Sequence, residues 1–200
     1  MNAMKLDSFY TPPDAAKRLV DRLDDEPENV ADFCAGEGEL LRACVERFPA
    51  VRCVALDKSK RASSRLLAMN KTWEVHCADF LNERKMSQTG LNNESFDLVV
   101  MNPPFSCRGT RYKIDLDGLS FSGSKALLFL ARALQYLRIG GVLRAILPTG
   151  VVCAERDAEI VGYLKRAYGF RVFAYSSKLS FCCQLLLELY PIKRYGSCIL

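Results

Sequence analysis

The chain has 200 residues, half of them hydrophobic and 26% charged, with a formal net charge of +5. This is the composition of a globular protein, and the length predicts one domain with a substantial core. No apolar run reaches the roughly 18 residues of a membrane span, so we expect no membrane association. The positive charge favours an acidic partner.

The cysteines favour a reducing compartment. There are nine of them, an odd number, and no C-x-x-C pair occurs. A disulfide framework or a zinc site is therefore disfavoured, and no metal is expected. The N-terminal segment lacks the apolar core of a signal peptide, so the sequence predicts a cytoplasmic protein. The single histidine, His76, lies in an apolar strand pattern, and no Ser-His-Asp or Cys-His set is evident.

Apolar runs of strand length alternate with segments of helical period, which predicts an α/β protein with a mostly parallel sheet. In the first helix, Thr11 is the expected N-cap and Pro12 the first helical residue. The segments 82–94 and 106–123 are predicted loops, and Gly140-Gly141 is predicted to end the fourth helix. The predicted helices are 11–23, 38–48, 58–70, 124–137 and 155–169, and the predicted strands are 29–35, 51–57, 73–80, 96–102, 142–148, 170–176 and 181–190.

The first strand runs into a glycine turn, "DFCAGEGEL". Asp32 ends the strand, and Gly36 and Gly38 allow a backbone to approach a ligand closely. The full dinucleotide pattern G-x-G-x-x-G is absent because position 41 is Leu. A pyrophosphate-binding turn is therefore disfavoured.

Acidic residues also end the next two strands. Asp57 follows the glycine turn by about 20 residues, a spacing at which a carboxylate can reach ribose hydroxyls. Asp79 and Phe80 end the third strand and would suit an adenine amine and an aromatic wall. Each aspartate alone could equally be a helix cap or a loop residue. Together, the three acids predict a nucleoside-binding edge of the sheet.

This pattern resembles the Rossmann-like class I methyltransferases. The resemblance implies a seven-stranded, mostly parallel sheet with one antiparallel strand and helices on both faces. It also implies S-adenosyl-L-methionine as cofactor, which carries no pyrophosphate, in agreement with the missing third glycine. Asp57 would be the ribose-binding acid and Asp79 the acid that contacts adenine.

The fourth strand ends in Asn102-Pro103-Pro104-Phe105, which resembles the [N/D/S]-P-P-[F/Y/W] motif of amino-methyltransferases. The amide oxygen of Asn102 and the carbonyl of Pro103 could each accept an N–H of a planar amine, and these bonds would strengthen as positive charge develops. Phe105 could stack on an extruded base. The alternative is a plain exit from strand to turn, because N-P and P-P are ordinary turn dipeptides.

Two further segments, "FYTPPDAAKRLVDRL" and "LRIGGVLRAILPTGVV", resemble the γ-class adenine-N6 DNA methyltransferases. The resemblance covers the chain from Tyr10 to about Tyr190 and implies a single domain, with residues 1–25 covering the cofactor and 26–200 forming the catalytic core. The implied cofactor-binding residues are Tyr10, Thr11, Pro12, Asp32, Ala35, Gly36, Gly38, Asp57, Lys58, Asp79, Phe80 and Asn102. The implied catalytic residues are Asn102, Pro103, Pro104 and Phe105, and the implied substrate contacts are Phe105, Arg108, Arg111, Lys113 and Phe181.

The implied activity is methyl transfer to the N6 amine of adenine in nucleic acid, with DNA favoured over RNA. No residues remain for the target-recognition domain that most γ-class members carry, so a protein partner could supply recognition. The alternatives are a ribosomal-RNA adenine methyltransferase, a protein glutamine methyltransferase and a non-catalytic cofactor-binding subunit.

Overall fold

The computed structural model describes residues 11–21, 23–105, 111–175 and 184–191. They form a seven-stranded sheet flanked by helices, and a separate two-stranded hairpin. The strands are β1 Asn29–Asp32, β2 Arg52–Asp57, β3 Glu74–Cys77, β4 Phe96–Met101, β5 Tyr112–Leu116, β6 Leu119–Gly123, β7 Leu137–Pro148, β8 Tyr168–Tyr175 and β9 Gln184–Pro191. The helices are α1 Pro13–Val20, α2 Glu39–Arg47, α3 Lys60–Met69, α4 Glu83–Ser87, α5 Lys125–Leu134, α6 Thr149–Cys153 and α7 Ala158–Ala167, with a 3-10 turn at Glu155–Asp157.

The strand order confirms the predicted architecture. The order is β3-β2-β1-β4-β7-β9-β8, and the pairs from β3 to β7 are all parallel. Strand β9 runs antiparallel to both of its neighbours, β7 and β8. The chain winds from β1 toward β3 on one side and continues from β4 on the other. The carboxyl ends of the adjacent strands β1 and β4 therefore mark the switch point, the place where α/β sheets bind ligands.

Two hydrophobic cores lie on opposite faces of this sheet, because successive residues of a strand point to opposite sides. On β1, Val30 packs in one core with α1, α2 and α3, whereas Ala31 packs in the other with α5 and α7. Both residues are fully buried. Of the helices in the described part of the chain, none combines the length and apolar character needed to cross a membrane.

Four local predictions were wrong. Helix α1 has Pro12 as its N-cap and begins at Pro13, one residue later than expected. The predicted loop 82–94 contains α4, whose first turn is capped by the Asn82 side chain. Helix α5 ends at Leu134, and β7 begins at Leu137 and continues through the two glycines that were expected to end the helix.

The fourth correction concerns residues 111–123, which were predicted as loop but form the β5–β6 hairpin. Ile114 and Leu116 bury their side chains against the core that contains α5 and α7. The Asp117 carboxylate at the hairpin turn accepts hydrogen bonds from the hydroxyls of Tyr163 (2.7 Å) and Tyr168 (2.9 Å). The hairpin is thus attached to the domain by apolar packing and by polar contacts.

Helix α1 is attached to the sheet by a buried ion pair. Arg144 of β7 and Glu188 of β9 lie opposite each other in the sheet, and their side chains are only 8% exposed. The guanidinium Nη2 lies 2.6 Å from Glu188 Oε2, while Nη1 donates to the carbonyls of Leu19 and Asp21 at the end of α1. Arg144 therefore neutralises a buried carboxylate and satisfies carbonyls that α1 leaves unpaired.

Replacing Arg144 should destabilise the protein strongly. We expect Arg144→Met to lower the free energy of unfolding by about 3–5 kcal/mol, because a buried carboxylate loses its main partner. Urea unfolding followed by circular dichroism measures the change.

A matched control is Lys17→Met, which removes an ion pair with Glu46 in which both side chains are about 60% exposed. This change should lower the free energy of unfolding by less than about 1 kcal/mol. The double variant Arg144→Met/Glu188→Met should regain much of the loss, since no buried charge is left unpaired. Equal effects of Arg144→Met and Lys17→Met would contradict the assigned role.

Candidate functional site

A cavity of about 660 Å³ opens at the carboxyl ends of the parallel strands, next to the switch point. Its volume is in the range of small-molecule sites. Most of the residues predicted from the sequence line it: Thr11, Asp32, Ala35, Gly36, Asp57, Lys58, Asp79, Phe80, Asn102, Pro103 and Pro104. The structure thus brings the glycine turn, the three strand-end acids and the N-P-P motif to one cavity.

The glycine turn and the second acid form one unit. The backbone N–H of Gly36 donates to Asp57 Oδ2 at 2.9 Å, and the N–H of Ser59 donates to Oδ1 at 2.8 Å. Gly36 has a φ of +53°, a conformation that costs little only for glycine. The two donors hold the Asp57 carboxylate in one orientation at the cavity wall. There its remaining lone pairs can accept hydrogen bonds from the hydroxyl groups of a ligand.

Gly38, a predicted cofactor-binding residue, lies behind the cavity wall rather than in it. It is the N-cap of α2, with a φ of +80°, and it does not line the cavity. A Cβ at this position would lie 2.7 Å from Leu66 Cδ2 and 2.9 Å from Trp73 Cζ3. The missing side chain therefore lets α2 begin close to the core residues behind the turn.

Asp32 lines the cavity but is only 1% exposed. Burial raises the pKa of its carboxyl to about 7, although the Cys34 backbone N–H donates to its Oδ1 at 3.0 Å and opposes the shift. Burial, together with the charges of Asp32 and Asp57, also raises the pKa of the Cys34 thiol well above its usual range. Cys34 lines the cavity and was missed from the sequence, although it lies within the quoted glycine turn.

The third strand leads to Asp79 and Phe80 as predicted, but the two residues differ in exposure. The half-buried Asp79 accepts a hydrogen bond from the Leu81 N–H at 3.1 Å. The Phe80 ring is 1% exposed and stacks on Phe33 at a centroid distance of 4.3 Å. Phe33, together with Phe129 of α5, also lines the cavity. No local motif marks Phe129, because it belongs to an ordinary amphipathic helix.

The motif after β4 presents an unpaired polar atom. The Asn102 Nδ2 donates to Thr11 Oγ1 at 3.1 Å, which joins the motif to the start of the N-terminal helix. Asn102 Oδ1 is buried and has no hydrogen-bond partner among the described residues. A buried amide oxygen is costly to leave unpaired, so this atom is an acceptor available to a ligand. Pro103 and Pro104 line the cavity beside it, and the half-buried Phe105 packs against the core.

The expected substrate contacts lie elsewhere. The Arg111 guanidinium donates to the carbonyls of Ser122 and Arg156, so it braces the hairpin, and Lys113 is exposed on β5. Pro12 caps α1 and does not line the cavity. Three predicted residues lie outside the described residues: Tyr10, Arg108 and Phe181.

The family model described as "Methyltransferase small domain" matches residues 11–169, which is most of the chain. The chain belongs to the methyltransferase small domain family. The match includes the glycine turn, the three acids and the N-P-P motif, and it extends through α7.

Curated relatives and solved structures agree with this family. The chain is 26% identical over 146 residues to the type II methyltransferase M.CvrRI of Paramecium bursaria Chlorella virus XZ-6E, and this match covers 72% of the chain but 36% of the relative. An S-adenosylmethionine-dependent O-methyltransferase from Thermotoga maritima has a TM-score of 0.62 at 12% identity, covering 94% of this chain and 69% of that one. TYW2 from M. jannaschii in complex with AdoMet has a TM-score of 0.57 at 16% identity, covering 92% and 79%.

The cofactor of this methyltransferase small domain protein is S-adenosyl-L-methionine. The cavity fits it, because the oriented Asp57 carboxylate suits ribose hydroxyls and the acids along the wall suit a positively charged sulfonium and ammonium. The Gly36 N–H donates to Asp57 and is therefore not free to bind a phosphate oxygen. This agrees with a cofactor that carries no pyrophosphate.

Gly38 and Gly90 provide a test of the packing role of the glycine turn. Both have positive φ, but a Cβ at Gly90 has no atom within 4 Å. Both alanine variants incur backbone strain of about 1–2 kcal/mol, and Gly38→Ala should lose about 1–3 kcal/mol more through overpacking. Thermal unfolding of the two variants measures the difference. Equal losses would show that the space behind Gly38 can adjust.

Asp32 should make stability depend on pH. Its pKa of about 7 lies above the ordinary value of 3.8, so the folded state retains a proton that the unfolded state has released. This contribution to stability is full below pH 3.8 and is lost as the pH rises toward 7. Asp32→Asn keeps an oxygen that accepts from the Cys34 N–H but cannot lose a proton. The free energy of unfolding of this variant relative to wild type should therefore rise by roughly 3 kcal/mol from pH 5 to pH 8.

Urea unfolding at the two pH values, without cofactor, checks this. Asp97→Asn is the control. Partial burial raises the pKa of Asp97, but hydrogen bonds from Arg138 and the Asn29 backbone outweigh burial and lower it below its usual value. Its stabilising contribution is therefore lost only as the pH falls below 4. The effect of Asp97→Asn should be the same at pH 5 and pH 8, and a constant effect of Asp32→Asn would refute the buried proton.

Proposed function

We propose that this protein transfers the methyl group of S-adenosyl-L-methionine to the exocyclic N6 amine of adenine in nucleic acid, with DNA as the substrate. The observation that carries the proposal is the unpaired Asn102 Oδ1, buried at the edge of the cofactor cavity within an N-P-P-F sequence. An amine N–H is the kind of donor that this oxygen requires.

Asn102 and Pro103 would polarise the amine. The nitrogen of adenine is a weak nucleophile because its lone pair is delocalised into the ring. Asn102 Oδ1 and the Pro103 carbonyl would each accept one N–H, which favours a pyramidal nitrogen with an available lone pair. These bonds would strengthen as the nitrogen becomes positively charged, so they stabilise the transition state more than the bound substrate. The two prolines restrict the backbone that carries the accepting carbonyl.

When bound, S-adenosyl-L-methionine supplies a methyl group on a sulfonium, and the sulfur retains the bonding electron pair as a neutral thioether. The amine nitrogen forms the new bond to carbon and then releases a proton to solvent. Cys34 is not suited to take this proton, because its raised pKa keeps it a neutral thiol near the motif. Phe105 would stack on the base, which requires its half-buried ring to leave part of its present packing.

DNA is favoured over RNA because the viral relatives are named as a type II methyltransferase and a modification methylase. The chain spans between a third and two fifths of the length of these relatives. As part of the proposal, a protein partner supplies recognition of a target sequence.

The first experiment measures transfer of labelled methyl groups from the cofactor to duplex DNA, single-stranded DNA and total RNA, followed by digestion to nucleosides. Label on deoxyadenosine N6 supports the proposal. Label on adenosine from RNA would replace DNA with RNA as the substrate. Label on no substrate, despite measured cofactor binding, would contradict the proposal for the chain alone.

Asn102→Ala should lower the rate of transfer by at least about 100-fold, the typical effect of removing one group that stabilises developing charge. Cofactor affinity, measured by calorimetry, should stay within a few-fold of wild type. Asn93→Ala, at an exposed position, is the control and should retain both properties. An equal loss of cofactor affinity in Asn102→Ala would show that Asn102 mainly holds the cofactor.

A further inference from the structure

The excess positive charge of the chain lies in one segment, residues 58–73. The chain has 28 basic and 23 acidic residues, and this segment contains five of the basic residues and no acidic one. The rest of the chain therefore carries equal numbers of the two. Most of the segment is helix α3 with the turn before it. Such an uneven distribution is typical of a surface that binds an anionic partner.

Helix α3 gains no stability from its first cations. The N-terminal end of a helix is positive, so acidic residues stabilise it and basic residues oppose it. Helices α1 and α2 each have an acidic residue in the first turn, whereas α3 begins with Lys60 and Arg61 and has none there. In the described part of the chain, no ion pair involves either residue. Their position is thus suited to an external anion.

Four exposed residues of α3 form one surface, because residues three or four positions apart lie on the same side of a helix. They are Lys60, Arg61, Ser64 and Arg65, and we call this surface the α3 basic face. Arg61 and Arg65 also line the cavity, together with Lys58 just before the helix. Arg65 forms an ion pair with Glu37 of the glycine turn. The α3 basic face is therefore continuous with the rim of the cavity.

The cofactor does not explain these cations. S-adenosyl-L-methionine carries a sulfonium and an ammonium group against one carboxylate, so its net charge is positive and nearby cations repel it. With its ribose hydroxyls at Asp57, the uncharged adenosine part would lie beside Lys58 and Arg61. The carboxylate belongs to the methionine part, at the other end of the molecule. The cofactor thus offers these cations no negative partner.

We propose that the α3 basic face binds the phosphate backbone of the nucleic-acid substrate beside the target base. The inference rests on the proposed function, which places that base at Asn102. Phosphate oxygens are the anions that Lys and Arg side chains bind on a nucleic acid, and such contacts orient the polymer without reading its sequence. This agrees with a partner that supplies recognition of the target sequence.

The strand spacing makes the two contacts compatible. Asn102 directly follows β4, and α3 follows β2. Only β1 separates β2 from β4 in the sheet, so the ends of these two strands lie about 10 Å apart, at about 4.8 Å per strand spacing. One strand of stacked nucleic acid advances about 3.4 Å per nucleotide and covers this distance in roughly three nucleotides. A strand that inserts a base at Asn102 can therefore place a nearby phosphate on the α3 basic face.

The test measures binding of a short fluorescent DNA, single-stranded or duplex, by anisotropy over a series of salt concentrations. Lys60→Gln/Arg61→Gln should raise the dissociation constant roughly 10- to 50-fold near 0.1 M salt, and the slope of log affinity against log salt should fall by about 2. Calorimetry should show that this variant binds the cofactor as tightly as wild type or slightly more tightly, because a repelling charge is gone. Its thermal stability should be equal or higher, since two cations leave a helix N-terminus.

The matched control is Lys165→Gln/Arg166→Gln, which removes the same charge from the last turn of α7. Both side chains are exposed, and α7 packs on the other face of the sheet from α3. This change should alter DNA affinity less than about threefold, because screening weakens distant charges. If both double variants weaken DNA binding equally, overall charge explains the effect and the inference is overturned.

Failure of this inference can be told apart from failure of the proposed function. Unchanged DNA binding and salt slope in Lys60→Gln/Arg61→Gln would overturn the inference, while methyl transfer by wild type would still support the proposed function. A wild-type protein that binds neither DNA nor RNA at low salt would also overturn the inference. DNA binding that depends on these two cations, in a protein that methylates no nucleic acid, would instead refute the proposed function alone.

Discussion

The hydrogen bond from the Gly36 N–H to the Asp57 carboxylate is the contact around which the cavity is organised. It ties the turn after the first strand to the end of the second strand, and it requires a backbone conformation that a side chain would strain. The same turn positions Gly38 at the start of α2 and covers Asp32 from solvent. One backbone donor thus links the shape of the cavity wall to the orientation of its carboxylate.

The three acids at the strand ends show where the sequence was informative and where it was not. Their positions were predictable, because parallel strands end at a common edge and each acid follows an apolar run. Their environments were not. Asp32 is buried with a raised pKa, Asp57 is held by two backbone donors, and Asp79 is half-buried. The exposure of each acid depends on how the strands, turns and helices pack against one another, which local sequence patterns do not specify.

The errors in the fold prediction have separate physical causes. The β5–β6 hairpin carries a local signal that predicts it, because Asp117-Gly118 is a turn dipeptide between alternating apolar and polar residues. At the start of β7, by contrast, the local sequence is misleading. Its glycines are typical of a helix end, but the strand passes through them with an irregular register beside β4. The contact between Thr11 and Asn102 has no local signal, since only the folded chain brings the two residues together.

The ion pair between Arg144 and Glu188 has a consequence for biosynthesis. Helix α1 is translated before Arg144, which holds its last turn. Arg144 belongs to the fifth strand of the main sheet in chain order, and its partner Glu188 belongs to the seventh. Until both strands have been translated and have docked, the last turn of the nascent helix lacks the buried Arg144–Glu188 pair that holds it. The N-terminal wall of the cavity is therefore among the last parts of a newly made chain to become secure. A chain that ends before β9 would lack both the partner of Arg144 and the strand through which β8 joins the sheet.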